Sequence, residues 1–162
     1  MVSDVHFSSR NDDWSSPAWV VQAAEKMMGA IDLDPASPTI DGPIPASLRY
    51  TKETNGLIQD WNGRVFLNPP YGREIGIWVK KAIQEYDAGR MSEAIILLPA
   101  RTDTKWFDVI SSFPWCAVRG RIKFGNLHNP APFPSAIIYM GERVERFTRM
   151  FSACGTVFRR AP

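Results

Sequence analysis

Four consecutive residues, Asn68, Pro69, Pro70 and Tyr71, combine an amide, two rigid rings and an aromatic side chain directly after an apolar run. Each proline restricts its own φ angle and favours an extended conformation in the residue before it, so the segment is stiff. Because proline has no N–H, the segment presents acceptors, among them the Asn68 side-chain oxygen and the Pro69 carbonyl. Two acceptors beside a flat ring suit a planar group with an exocyclic NH₂, such as a nucleobase amine. The alternative is a strand-ending turn with a buried tyrosine.

The elements that position this motif follow from the hydrophobic pattern of the chain. Residues 35–57 are rich in proline, glycine and threonine and predict an irregular connection. Ser16 and Pro17 are typical of a helix N-cap followed by proline at the first helical position. Helical spacing predicts helices at residues 17–28, 74–88, 103–111 and 142–152. Apolar runs predict strands at residues 30–34, 64–67, 93–98, 116–120, 121–125, 135–140 and 155–160.

Strands that alternate with helices indicate βαβ units and a mostly parallel, doubly wound α/β sheet. In such sheets ligands bind beyond the carboxyl ends of the strands. Asp34, Asn68 and Pro99 each follow or end a predicted strand, so we expect them at one shared edge.

Length and composition indicate one ordinary globular domain that covers residues 1–162. Cys116 and Cys154 cannot form a disulfide framework, which favours a reducing cytoplasm. The first residues show no signal-peptide core, and the longest apolar run is too short to cross a bilayer. Neither His6 nor His128 belongs to a motif, and we predict no metal site.

Charge is distributed unevenly along the chain. Residues 1–60 carry four Lys or Arg and nine Asp or Glu, whereas residues 61–162 carry fifteen and eight. An acidic front and a basic back suit a protein with two different ligands, the second a polyanion. The alternative is a solvated basic face.

The sequence NPPY at residues 68–71 resembles the catalytic motif of amino-group DNA methyltransferases, which methylate N6 of adenine or N4 of cytosine. The resemblance extends to the stretches DDWSSPAWVVQAAEKMMGAIDLDPAS, GLIQDWNGRVFLNPPYGREIGIWVKKA, AIILLPARTDTKWF and RGRIKFGN…PAPFPSAIIYMG. Together they resemble the small phage-type DNA N6-adenine methyltransferases, the phage Dam family. This resemblance implies a class I methyltransferase (Rossmann-like) sheet of seven strands with a reversed final strand.

The resemblance also implies roles for individual residues, with S-adenosylmethionine as cofactor. Asn68, Pro69, Pro70 and Tyr71 are the implied catalytic residues. The implied cofactor-binding residues are Trp14, Ser16, Pro17, Asp34, Asp60 and Trp61. The glycine-rich turn that usually follows the first motif is absent here, and so is a first crossover helix, which means that the fold is abbreviated in its N-terminal half.

The resemblance implies double-stranded DNA as the partner and a monomer or a homodimer as the bound form. It also implies a cytoplasmic location, which would be the cytoplasm of the bacterial host if the gene belongs to a phage. Phosphate contacts are expected from the basic residues Arg101, Lys105, Arg119, Arg121 and Lys123. Three alternatives stay open: an N4-cytosine methyltransferase, a glutamine methyltransferase of translation factors, and an inactive DNA- or cofactor-binding module. The missing glycine-rich turn argues against the second, and the intact motif argues against the third.

Overall fold

Seven strands form a single mixed sheet in the computed structural model, which describes residues 15–125 and 128–162. The sheet order is β2-β1-β3-β4-β6-β5-β7. In chain order, the strands are β1 (Ile31–Asp34), β2 (Ala46–Arg49), β3 (Gly63–Leu67), β4 (Met91–Pro99), β5 (Trp115–Val118), β6 (Ser135–Met140) and β7 (Gly155–Phe158).

Helices cover both faces of this sheet. Within the described ranges they are α1 (Ala18–Met28), α2 (Ile75–Asp87), α3 (Lys105–Ile110) and α4 (Val144–Phe151), with a short 3-10 helix at Gly56–Ile58. Helices α1 and α4 share one core layer with Phe66 and Leu97, and α2 and α3 share the other with Leu67 and Ile96. None of the helices in residues 15–125 and 128–162 is long and apolar enough to cross a membrane.

Strand β4 shows why a continuous apolar run predicts a strand in this protein. Its side chains alternate between the two layers, with Ile95 and Leu97 on one side and Ala94 and Ile96 on the other. Where β4 is covered on both faces, at residues 94–98, both rows of side chains are apolar, so the hydrophobic run is continuous instead of alternating. Helix α2 instead buries one stripe and ends before Gly89, which has a φ of 77°.

The parallel half of the sheet has a switch point between two strands. Strands β2, β1, β3 and β4 are parallel, and the chain steps from β1 outward to β2 before it returns to β3 on the other side. Strands β1, β3 and β4 end at Asp34, Leu67 and Pro99, and we call this side of the sheet the carboxyl edge and the opposite side the amino edge. A crevice at such a switch point is the expected ligand site of an open α/β sheet.

The direction of the remaining strands determines what else lies at the carboxyl edge. Strand β6 is antiparallel to both β4 and β5, so β5 runs in the same direction as β4 and also ends at this edge. Strand β7 is antiparallel to β5. Residues 119–125, which follow β5, therefore leave from the carboxyl edge, and residues 128–134, which precede β6, return to it.

Most of the predicted elements are confirmed, and three predictions are wrong. The connection at residues 35–57 contains β2 and the 3-10 helix. Residues 121–125 form no strand: both edges of β5 are already paired, with β6 and β7. Ser16 does not cap α1, whose N-cap is Pro17 without a side-chain hydrogen bond. The absent first crossover helix is confirmed, since residues 35–45 join the parallel strands β1 and β2 without one.

Candidate active site

Asn68 directly follows β3 at the carboxyl edge, where it meets the segment before α1. Its Nδ2 donates a hydrogen bond to Ser16 Oγ at 2.9 Å. The Asn68 side chain is half-buried and its Oδ1 atom is buried. Because Nδ2 donates to Ser16, Oδ1 is the acceptor end of this amide. Pro69 is buried and Pro70 exposed, as expected of a stiff segment that leaves the sheet.

Tyr71 turns back toward the neighbouring strand. Its hydroxyl donates to the Leu97 carbonyl of β4 at 3.3 Å. The ring makes edge-to-face contacts with Phe124 and Phe133, at centroid distances of 6.0 and 5.6 Å. Burial raises the pKa of the Tyr71 phenol, so the hydroxyl stays protonated at neutral pH. The motif tyrosine is therefore anchored at its tip and supported along its ring.

The two phenylalanines come from the segment at residues 119–134, and sequence reasoning assigned neither to the site. Ile122 and Phe124 are buried, whereas Arg121 and Lys123 between them are exposed. The same alternation continues in the proline-rich part, where Phe133 is buried. This period-two pattern predicted a strand, but here it separates an apolar wall beside Tyr71 from a basic outer face.

Asp34 closes the turn that follows β1. Its Oδ1 accepts from the Ala36 amide at 3.1 Å, and its main-chain carbonyl accepts from the Tyr50 amide at 2.9 Å. The residue is only 3% exposed, and burial raises the pKa of its carboxyl from 3.8 to about 6, although hydrogen bonds from Ala36 and Ser37 act in the opposite direction. A desolvated carboxylate at a switch point is typical of a functional group, because a cationic or hydroxyl-bearing ligand would stabilise its charged form.

The five basic candidates for DNA contact all lie at the carboxyl edge. Arg101 follows the end of β4, and Lys105 begins α3, where Thr104 Oγ1 accepts from the Phe107 amide. Arg119 follows the end of β5 and is tied to β7 through a hydrogen bond from its amide to the Cys154 carbonyl. All five side chains are exposed, namely Arg101, Lys105, Arg119, Arg121 and Lys123.

Asp60 is not brought to this edge. It precedes β3, whereas Asn68 follows β3, and a five-residue strand rises about 16 Å. Its carboxylate is largely exposed and lies 3.7 Å from the guanidinium of Arg90, which precedes β4 at the amino edge. The length of β3 therefore keeps Asp60 away from Asn68. Tyr50 nevertheless connects Asp60 to Asp34: its amide donates to the Asp34 carbonyl at 2.9 Å and its hydroxyl donates to the Asp60 carbonyl at 3.0 Å.

Trp61 is fully buried on the α2 side of the sheet, with structural contacts. Its amide donates to Glu85 Oε2 at 3.0 Å, its indole N–H donates to the Gly56 carbonyl at 2.8 Å, and its ring stacks on Trp78. Burial alone would raise the pKa of Glu85, but hydrogen bonds from Arg90, Lys81 and the Trp61 amide outweigh it and hold the pKa at about 2. These contacts account for Trp61 without a cofactor.

The segment before α1 completes the site. Ser16 and Pro17 are half-buried beside Asn68, and the Ser15 carbonyl accepts from the Gly125 amide at 2.9 Å. The same two serines thus contact both the end of β3 and the segment that carries Phe124. Trp14, which the sequence also assigned to the cofactor site, lies outside the described residues.

A comparison with protein families identifies the family of this chain. A family model described as DNA N-6-adenine-methyltransferase (Dam) matches residues 4–135. The chain belongs to this Dam family. It is therefore an enzyme that methylates N6 of adenine in DNA, and the match does not favour cytosine as the target. No curated protein matches the chain. The matched Dam region includes Ser16, Asp34, Asn68–Tyr71 and Phe124, and it ends at the first residue of β6.

Proposed function

We propose that this Dam-family enzyme takes its methyl group from S-adenosylmethionine and transfers it to an adenine that has been flipped out of the duplex into the carboxyl edge. The observation that carries the proposal is the position of Asn68, at the switch-point edge, with Nδ2 directed at Ser16. Asn68 and Pro69 are the proposed catalytic acceptors, Pro70 keeps the segment rigid, and Tyr71 supplies the aromatic face.

The catalytic contribution of the motif is to polarise the target amine. The lone pair of adenine N6 is delocalised into the ring, so N6 is a poor nucleophile. When the Asn68 Oδ1 and the Pro69 carbonyl accept the two amine hydrogens, electron density shifts onto N6 and a tetrahedral nitrogen becomes favourable. Directly after transfer, N6 carries the methyl group and both of its original hydrogens, so it is positively charged and acidic. It can lose one of these protons after transfer, and no base with a matched pKa is required before it. Catalysis then consists of positioning and oriented dipoles.

Tyr71 is proposed to receive the flipped base, with its ring supported from behind by the buried Phe124 and Phe133. Flipping costs a few kcal/mol of unstacking and unpairing, and stacking on an aromatic side chain offsets part of it. The contact of Tyr71 with the Leu97 carbonyl and its edge-to-face packing on both phenylalanines support this role, because they fix the ring before the base arrives.

The residues at the carboxyl edge fit the chemistry of the cofactor. S-adenosylmethionine, when bound, supplies an electrophilic methyl group on a positively charged sulfur, which a polarised amine can accept. Asp34 is proposed to hold a polar or cationic part of it, since its buried carboxylate has a raised pKa and gains from such a partner. Ser16 and Pro17 are proposed to line the same pocket, next to Asn68.

DNA is proposed to lie across the carboxyl edge on the five exposed cations named above. Arg121 and Lys123 point outward from the segment whose inner side packs on Tyr71, so they would bring phosphates close to the base site.

The fold is proposed to be an abbreviated class I methyltransferase domain, Rossmann-like in its parallel half, that spans residues 1–162. The switch point between β1 and β3 and the helices on both faces support this classification.

The proposal can be tested by two binding measurements on the intact protein. Calorimetric titration should show binding of S-adenosylmethionine. A duplex with 2-aminopurine at the target position should gain fluorescence when the protein and an inert cofactor analogue are added, because flipping unstacks the probe. Methylation of adenine without any increase in 2-aminopurine fluorescence would contradict base flipping, and absence of cofactor binding would contradict the proposed donor.

A further inference from the structure

The hydroxyl of Ser16 is used in a way that helix capping does not explain. It immediately precedes Pro17 and α1, yet α1 has no side-chain cap. Instead, Ser16 Oγ accepts a hydrogen bond from Asn68 Nδ2 at 2.9 Å, across 52 positions of the chain. The contact therefore joins the start of the fold to the end of β3 at the catalytic motif.

The contact matters because an amide has two different ends. Only the oxygen can accept from the target amine; the NH₂ end would oppose donor to donor. A half-turn of the Asn68 side chain about its last bond would exchange the two ends with little change in shape. Since Nδ2 is held by Ser16, the observed orientation assigns Oδ1 to the substrate.

A second hydrogen bond keeps Ser16 in place. The carbonyl of the adjacent Ser15 accepts from the Gly125 amide at 2.9 Å. Gly125 follows Phe124, which is buried against Tyr71. Ser15 and Ser16 thus connect the acceptor side of the site with its aromatic side.

We propose that Ser16 is a positioning residue for methyl transfer: it holds the Asn68 amide with Oδ1 as the acceptor for the target amine. This inference rests on the proposed function of Asn68. A purely structural serine would affect folding, and a purely cofactor-binding serine would affect cofactor affinity. A positioning serine affects the transfer rate while cofactor affinity is retained.

The matched variants are Ser16→Thr and Ser16→Val, which have the same shape and differ in the hydroxyl. With saturating cofactor and duplex DNA, Ser16→Val should lower the single-turnover transfer rate about tenfold, the loss of one net hydrogen bond. Ser16→Thr should recover most of the rate. Calorimetry should give similar cofactor affinities for the two variants. Ser92→Ala, an exposed serine in β4 near the amino edge, is the control.

A readout without DNA or turnover tests the hydrogen bond itself. The Asn68 side-chain NH₂ gives a nuclear magnetic resonance signal that Asn68→Asp removes and thereby assigns. Exchange of these protons with water should be about tenfold faster in Ser16→Val than in Ser16→Thr, because the protecting acceptor is lost.

Two results would overturn the inference. One is equal transfer rates for the threonine and valine variants. The other is a loss of cofactor affinity that accounts for the whole loss of rate while the amide exchange is unchanged, which would make Ser16 a cofactor ligand. If the parent transfers no methyl group to DNA, the proposed function fails. The exchange measurement then still shows whether Ser16 accepts a hydrogen bond from the Asn68 side chain.

Discussion

The hydroxyl of Tyr71 lies 3.3 Å from the carbonyl oxygen of Leu97, so the motif tyrosine is bound to the neighbouring strand of the sheet. Together with its contacts to Phe124 and Phe133, this bond restricts the ring to one orientation before any base arrives. A side chain of this kind contributes both to stability and to base capture, and its substitutions can separate the two.

Tyr71→Phe should keep the aromatic face and lose only the bond to Leu97. We expect a free energy of unfolding lower by about 1 kcal/mol and a small loss of transfer rate. Tyr71→Ala should lose stacking worth roughly 1–3 kcal/mol per base and weaken capture of the flipped base. Fluorescence of 2-aminopurine at the target position measures that capture. Equal flipping by the phenylalanine and alanine variants would show that the ring does not hold the base.

Asp34→Asn should separate the turn-closing role of this residue from its charge. The amide oxygen can still accept from the Ala36 amide, so the fold is retained, but the negative charge is lost. Affinity for S-adenosylmethionine should fall by roughly 1.5–3 kcal/mol, the value of a hydrogen bond with a charged group. Calorimetry on the folded variant measures this, with Asp87→Asn, an exposed aspartate at the end of α2, as a matched control that should bind like the parent. An Asp34→Asn variant with the parent's affinity would remove Asp34 from the cofactor site.

The same carboxyl should make stability depend on pH in a defined direction. The pKa of Asp34 is raised from 3.8 to about 6 in the folded chain, so folding favours the protonated form. Its contribution is complete below pH 3.8 and is lost as the pH rises through about 6, a change of about 3 kcal/mol. Denaturant unfolding of the parent and of Asp34→Asn, measured from pH 4 to 8, should show this component only in the parent. Parallel profiles would contradict it.

Glu85 should show the opposite dependence. Its pKa is lowered from 4.5 to about 2, so its contribution to stability is present above pH 4.5 and is lost as the pH falls through about 2. Glu85→Gln should therefore lack a decrease of about 3 kcal/mol that the parent shows in that acid range. Glu142→Gln, an exposed glutamate, is the control and should follow the parent. If stability falls with acid in Glu85→Gln as much as it does in the parent, the ionised Glu85 carboxylate makes no such contribution to stability.

Arg121→Ala combined with Lys123→Ala should weaken binding to all DNA sequences alike. If each side chain contacts one phosphate, the slope of log affinity against log salt should decrease by about 2. The control pair is Lys26→Ala with Lys80→Ala, two exposed lysines of α1 and α2 with the same change in charge. An unchanged slope together with an altered methylation sequence would mean that Arg121 and Lys123 read bases.

Much of the fold could be predicted because burial imposes a pattern on the residues that it affects. For this reason, the apolar runs of β3 and β4 predicted strands, and the helical spacing of apolar residues predicted α2. Strand β2 could not be predicted from its pattern. It is a four-residue strand at the sheet edge, paired with β1, and Leu48 is 48% exposed, so burial imposes little pattern on it. Residues 121–125 showed the alternation of a strand because Ile122 and Phe124 pack inward, and pattern alone cannot show whether a sheet edge is available.

The part of the candidate site that follows strands was the part whose position could be predicted. Asp34 and Asn68 share an edge because parallel strands bring their ends together. The position of Asp60 relative to Asn68 depends on the length of β3, which lies between them. The partners of Ser16, Phe124 and Phe133 depend on contacts between distant segments, and local patterns favoured a helix cap and a strand instead.

The central claim is that the Asn68 amide activates the N6 amine of adenine, and one experiment tests it directly. Duplex DNA is incubated with S-adenosylmethionine labelled on the methyl group and with either the parent or Asn68→Ala, and the digested nucleosides are then separated. The account predicts label in N6-methyl-2′-deoxyadenosine with the parent, a rate lower by about 10²–10³ with Asn68→Ala by analogy with lost oxyanion donors, and unchanged binding of cofactor and DNA. Label in N4-methyl-2′-deoxycytidine, or transfer by Asn68→Ala at close to the parent's rate, would contradict it.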